Sequence, residues 1–174
     1  MFKFINQKKT QVDKLYSKIL TLSRNKLFYT SFHLCDTFQN RINLIFLHIS
    51  FLFIKLKEEN KNEYYKDFSQ LMFDSLFKKI ELNMREIGYG DTVVNTKMKF
   101  LVKTFYNILL SCENYRHRSL QNKYLFLLNY LTQNIDKNTT VDNGLVAYFD
   151  EYQTFCFDLS SDSVLRGGLN FNYK

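Results

Sequence analysis

Apolar residues recur every three or four positions along most of the chain, the spacing that places them on one side of an α-helix. Leu15, Tyr16, Ile19, Leu20 and Leu22 predict a first helix from Asp13 to Arg24. Asp36, followed three residues later by Gln39, reads as a capping box opening a second helix that runs to about Lys57. Asn60 and Glu63 repeat that signal before a longer run to Ile87, with Tyr65, Phe68, Met72, Phe73, Leu76, Phe77, Ile80, Met84 and Ile87 on its stripe. Asn95 is placed to cap a fourth helix carrying Met98, Leu101, Val102, Phe105, Ile108, Leu109 and Cys112. Ser119 to Ile135 and Thr140 to Leu159 complete the set. No segment alternates as a strand would. The expectation is an all-α protein: one compact domain over residues 1–174, about six helices, and loose ends at 1–12 and 160–174.

The second predicted helix differs from the rest. Ile42 to Ile54 is apolar except for Asn43, His48 and Ser50. That is too short to cross a hydrocarbon core, which needs about 20 residues. Arg41, His48 and Lys55 recur at heptad spacing, so the helix is expected at the centre of the fold, touching water along one thin polar edge.

Two of the chain's five glycines fall in Arg85-Glu86-Ile87-Gly88-Tyr89-Gly90-Asp91, between two amphipathic runs. Gly88 suits the left-handed position that ends a helix, since it has no Cβ to clash. Gly90 allows a second turn, and Asp91 can accept backbone N–H bonds as the next helix starts. The segment reads as a helix–turn–helix joint. A nucleotide-binding loop is excluded, because that fingerprint needs a preceding strand and a third glycine.

Composition adds less than it first promises. The formal charge of +7 favours an anionic partner, RNA or an acidic membrane surface. Yet Ala147 is the only alanine, proline is absent, and Lys, Asn, Ile, Phe and Tyr abound, which is the mark of A/T-rich codons. The basic residues are also dispersed, so the charge permits such a partner without specifying it. Cys35, Cys112 and Cys156 are odd in number and widely spaced, arguing for reduced thiols. His33, His48 and His117 lie in three segments with no metal-ligand spacing, and His48 is best read as a hydrogen-bonded core residue. No catalytic residues, metal site or cofactor are indicated. Asp74–Lys78 and Glu81–Arg85 have the spacing of solvated ion pairs.

Several residue types around the joint stand at fixed offsets. Leu71-Met72-Phe73-Asp74 leads to Met84-Arg85-Glu86-Ile87-Gly88-Tyr89-Gly90-Asp91, then Lys97-Met98-Lys99 and Phe105-Tyr106. Leu15-Tyr16, Arg24, Phe28-Tyr29 and Asp36-Thr37-Phe38-Gln39-Asn40-Arg41 precede them, and Gly167-Gly168-Leu169-Asn170-Phe171 follows. In this register the chain resembles the ubiquinol–cytochrome c chaperone family, in the form found in bacteria. It departs where that family usually has glycine (Asn40), proline (Asn95) and Gly-Arg (Asn107-Ile108). Asparagine tolerates left-handed geometry and caps helices, so the first two exchanges are expected to keep a backbone role. Ile108 replaces a charge.

The resemblance implies a non-enzymatic assembly factor for ubiquinol–cytochrome c reductase whose client is newly made cytochrome b, held at the membrane surface. It also implies a ribosome as a second contact. The signature residues Asp36, Arg41, Arg85, Glu86, Gly88, Tyr89, Gly90, Asp91, Lys97, Phe105 and Tyr106 are the candidate client-binding set. Arg85, Glu86 and Asp91 have a plainer reading, local pairing that fixes the angle between two helices. Phe28-Tyr29 and Phe105-Tyr106 either line a groove for an apolar partner or pack the core. The matching region begins within about the first fifteen residues, so the expected location is the bacterial cytoplasm, peripheral to the inner membrane. The matrix side of the mitochondrial inner membrane is the alternative. The competing function is a basic helical module that binds RNA or ribosomes.

Overall fold

The computed structural model describes residues 2–59, 63–133 and 143–173. The elements are α1 (Phe2–Ser23), α2 (Leu27–Thr30), α3 (Phe38–Glu59), α4 (Glu63–Glu86), α5 (Asp91–Glu113), a 3-10 turn (Tyr115–His117), α6 (Leu120–Tyr130), α7 (Gly144–Asp158) and α8 (Ser161–Leu165). The six expected helices are there, with α2 and α8 as short additions. Among the described residues the only β pairing is a single bridge between Leu34 and Gln133.

The apolar α3 lies at the centre, packed on α1, α4, α5, α7 and α8. Its residues from Ile42 to Leu52 are all buried, because neighbours cover every side. The polar edge expected along α3 is therefore closed. Arg41 is exposed, but His48 and Lys55 are buried beneath α7. Lys55 donates to the Phe157 carbonyl near the end of α7, where helix carbonyls lack partners.

His48 is bonded on both ring nitrogens. Nδ1 lies 2.6 Å from the Leu44 carbonyl, an acceptor only, so Nδ1 carries the proton. Nε2 then accepts from the Tyr148 hydroxyl at 2.8 Å. Burial lowers the imidazole pKa from 6.5 to about 4, with the Leu44 carbonyl opposing the shift. The unfolded chain thus takes up the proton first as pH falls. This contribution to stability is full above about pH 6.5, shrinks between there and about pH 4, and levels off below. The gap corresponds to about 3 kcal/mol. Denaturant melts of the wild type and His48→Gln across that range should show a shallower pH dependence in the variant; parallel curves would contradict the assignment.

Several helix ends differ from expectation. Thr37 caps α3, accepting from the Asn40 amide at 3.2 Å, while Asp36 forms a two-pronged pair with Arg41 at 2.7 and 2.8 Å. Asn40 is inside α3, and its role lies in the side chain. It donates to the Cys35 and Thr132 carbonyls, both at 2.8 Å, and accepts from Thr132 N at 2.9 Å, tying the start of α3 to the end of α6. Asn95 is an exposed residue of the first turns of α5, which starts earlier, at Asp91. Ser119 does cap α6. That helix ends at Tyr130, where Leu131 turns extended. The expected cap at Asn60 and the expected helix start at Thr140 lie outside the described residues.

Described residues toward both ends pack against the rest of the chain. Helix α1 begins at Phe2, well before Asp13, and buries Val12, Leu15 and Ile19. After α8, Gly167 adopts φ +72 against α1, where an added Cβ would stand 3.0 Å from the Lys14 Cβ. The tail then packs Leu169 into the core and sets the Phe171 ring on Tyr148, Tyr152 and Phe155.

Candidate functional site: the groove beside the α4–α5 joint

Helix α4 ends on the Schellman pattern. The Gly88 amide donates to the Arg85 carbonyl at 3.0 Å and the Tyr89 amide to the Met84 carbonyl at 3.1 Å, with Gly88 at φ +98. No atom crowds a Cβ at Gly88, so the backbone conformation alone calls for glycine there. Gly90 is extended, with φ −70 and ψ 158, a conformation open to any residue. Asp91 does not cap α5. Its carboxylate pairs with Arg85, which also donates to Glu81 at 2.9 and 3.1 Å. These two carboxylates hold the Arg85 guanidinium pKa above its usual value. The expected Glu81–Arg85 pair is present, whereas Asp74 takes Gln70 as its partner. Lys97 stands over the Tyr89 ring, 5.3 Å from its centre, so the joint is braced from α5 as well. Local pairing is thus the geometry of Arg85 and Asp91.

Beside the joint, α1, α3 and α4 enclose a groove of about 440 Å³. Tyr16, Leu20, Ile42, Ile45 and Ile80 give it apolar walls. Phe38 and Ile87 are also in its lining and are 39% and 65% exposed, far more than core residues. Arg24, Arg41, Lys79 and Glu86 supply the charges. Lys79 is steered by Asp13 at 3.1 Å and by the Tyr16 ring. The Asp36 carboxylate holds Arg41 in place; the charge-assisted bond lowers the Asp36 pKa.

The groove gathers Arg41 and Glu86 from the candidate residues, with Asp36 holding one of them. Arg85, Gly88, Tyr89, Gly90, Asp91 and Lys97 shape the joint at its edge. Phe105 is elsewhere and inaccessible: its ring is sealed among Phe46, Phe53, Phe73 and Phe77. Phe28 is buried in the same way against Phe32 and Tyr148. Tyr106 is exposed, on the outer side of α5. Ile108 faces the core, so the charge missing at this position is replaced by packing. Neither Phe38 nor Ile87 was among the candidate site residues, and Ile87 was expected on the apolar stripe. It lies one residue past the end of α4, so it leaves the packed face and is open to solvent. Phe38 opens α3, where periodicity says little about burial.

Cys112 and Cys156 are buried, and burial raises both thiol pKa values, leaving them unsuited as nucleophiles. Among the described residues, no cluster of His, Cys, Asp and Glu could hold a metal ion, and no helix is long and apolar enough to cross a membrane.

The model of one protein family, described as ubiquinol–cytochrome C chaperone, matches residues 30–171. The chain belongs to the ubiquinol–cytochrome c chaperone family. Membership gives it a chaperone role in assembling the reductase and implies a protein client. The fold agrees with that of a solved Cbp3 homolog from Brucella abortus, at a TM-score of 0.82 and 22% identity, over 98% of this chain and 93% of the other. No curated protein matches the chaperone in sequence. The match begins upstream of Asp36 and ends at Phe171, so it contains the α3 and α4 walls of the groove and the whole joint. Only the α1 wall stands before it.

Proposed function

We propose that this chain is a non-enzymatic assembly factor that holds newly made cytochrome b at the membrane surface until the reductase is assembled. The observation that carries this reading is the groove beside the joint, with exposed Phe38 and Ile87 over apolar walls and guanidinium groups at its edge. An incompletely assembled membrane protein exposes apolar helix faces and unpaired helix-end carbonyls. Apolar walls shield the first, and Arg24 or Arg41 can bond the second. Phe38 and Ile87 would bury fully only against such a client, giving about 25 cal/mol for each Å² removed from water. The pairing of Arg41 with Asp36 and of Lys79 with Asp13 presets the charged side chains, which lowers the entropy lost on binding.

The competing reading as an RNA- or ribosome-binding module draws on net charge and on the ribosome contact the resemblance implies, not on a site in the fold. The groove's apolar walls and its Glu86 carboxylate do not favour a phosphate backbone. A ribosomal contact beside the client site is compatible with the +7 charge. Deleting the gene and recording haem b spectra and reductase subunit levels in membranes tests the reading. Loss of cytochrome b is expected; normal levels would overturn it.

A further inference from the structure

The outer side of α5 has no covering element, and its composition is unlike that of an ordinary solvated helix face. Phe100, Lys103, Asn107 and Leu110 follow one another at three- and four-residue steps, with Lys99 and Tyr106 on the same arc. Phe100 and Leu110 are 60% and 61% exposed, and Val93 and Tyr106 are also open to solvent. Four large apolar side chains exposed along one helix mark a contact surface. Toward the end of α5 this surface runs into a groove of about 420 Å³ between α3, α4 and α5, lined by Phe53, Ile54, Tyr65, Tyr106 and Leu109. Lys57, Lys66 and Glu113 belong to the same groove, the first and last of them paired with each other.

The unpaired charges on this side are basic. Between Asp91 and Glu113, α5 holds Lys97, Lys99 and Lys103 and no acidic residue. The terminal acids are already used, Asp91 by Arg85 and Glu113 by Lys57 at 2.7 Å. On neighbouring α4, Glu81 is held by Arg85 and Asp74 by Gln70. Lys99 and Lys103 have no carboxylate partner among the described residues and are exposed.

We infer that the outer face of α5, with the adjoining α3–α4–α5 groove, docks on an anionic lipid bilayer. Lysines interleaved with Phe, Tyr and Leu on one helix face fit the headgroup boundary: the ammonium groups meet lipid phosphates, and the apolar side chains enter the acyl region. The groove offers room below that plane for the end of an acyl chain. This inference rests on the reading that the chaperone works at a membrane, and it names the surface that reading lacks. The client groove opens by Phe38 and Ile87 and shares no lining residue with this face, so client and lipid would be held by separate surfaces.

The test is flotation of the full chain with vesicles of equal parts phosphatidylglycerol and phosphatidylcholine, against vesicles of phosphatidylcholine alone. The wild type should float with the first and not the second. Neutralising both Lys99 and Lys103 to Gln should weaken binding roughly 25-fold, about five-fold for each charge near an anionic surface. The pair Phe100→Ser and Leu110→Ser should weaken it roughly ten-fold or more. Leu125→Ser, at an exposed site on α6, should change nothing. Helical circular dichroism checks that all variants stay folded, as surface positions should. Wild type that does not float overturns the inference. Wild type and both α5 pairs floating equally would also overturn it, while leaving a membrane contact elsewhere. A photo-reactive residue at position 100 that captures protein and no lipid in cells would assign the face to a protein instead. Cytochrome b capture from position 87 is read without vesicles, so the assembly function can stand even if this face fails.

Discussion

Ile87→Asp combined with Phe38→Asp should abolish client handling while leaving the fold intact. Both side chains already contact water, Ile87 more than Phe38, so the change uncovers only part of the groove walls in the free protein and its stability should fall by about 1–2 kcal/mol. In the complex the same carboxylates would be buried against an apolar client with no built-in partner, and an unpaired buried charge costs several kcal/mol. A penalty of about 4 kcal/mol is a factor of roughly a thousand in affinity. Cells carrying the double variant should therefore resemble the deletion: haem b lost from membranes, the chaperone present at normal level and folded. Retained haem b with a soluble, folded variant would mean that the groove does not hold the client.

Phe105→Ala should have the opposite signature, a large loss of stability with no specific functional meaning. The ring is 1% exposed and packs on four other phenyl rings, with edge-on geometry to Phe46 and Phe77. Truncating such a residue removes its transfer energy and leaves a cavity in the contact of α3, α4 and α5, roughly 3–5 kcal/mol in all. For a chain of this length the melting temperature should fall by about 10 °C. The adjacent Tyr106→Ala should cost about 1 kcal/mol or less, because Tyr106 is half exposed and touches mainly the Phe73 ring. Equal losses at the two positions would contradict the burial described here. Neighbours in sequence, Phe105 and Tyr106 thus belong to different arguments, one about the core and one about the surface.

That pair shows what could be read from the sequence. The 3.6-residue period placed Phe105 with Leu101, Ile108 and Cys112 on one stripe, and all four are buried. The same period identified α3 as central, because an apolar run this continuous needs neighbours on every side. It could not foresee that α7 would close over His48 and Lys55. Their burial depends on Tyr148 and the Phe157 carbonyl, about a hundred residues away. Helix ends were read less well for a related reason. Thr37 and Asp36 both suit a cap, and the choice is made by Arg41, which takes the Asp36 carboxylate. Asn40 was read as a backbone residue, yet its side chain bridges Cys35 and Thr132, a contact that exists only once α6 is in place.

The groove was the least legible part. Its residues come from three helices, and most are ordinary apolar stripe members whose exposure depends on how far α1 and α4 splay apart. Arg41 and Glu86 were picked out through the family resemblance. The joint itself was legible, since Gly88 is required by a left-handed turn and Arg85 has carboxylates at Glu81 and Asp91 within reach. Its part in the account is to fix where α4 ends, and so where Ile87 stands.

The most direct test of the central claim is photo-crosslinking from position 87 during synthesis of cytochrome b in cells. The account predicts a transient adduct between the chaperone and cytochrome b from position 87, and none from Glu151, which is exposed on α7 away from the groove. No adduct from position 87, or equal adducts from both positions, would contradict it.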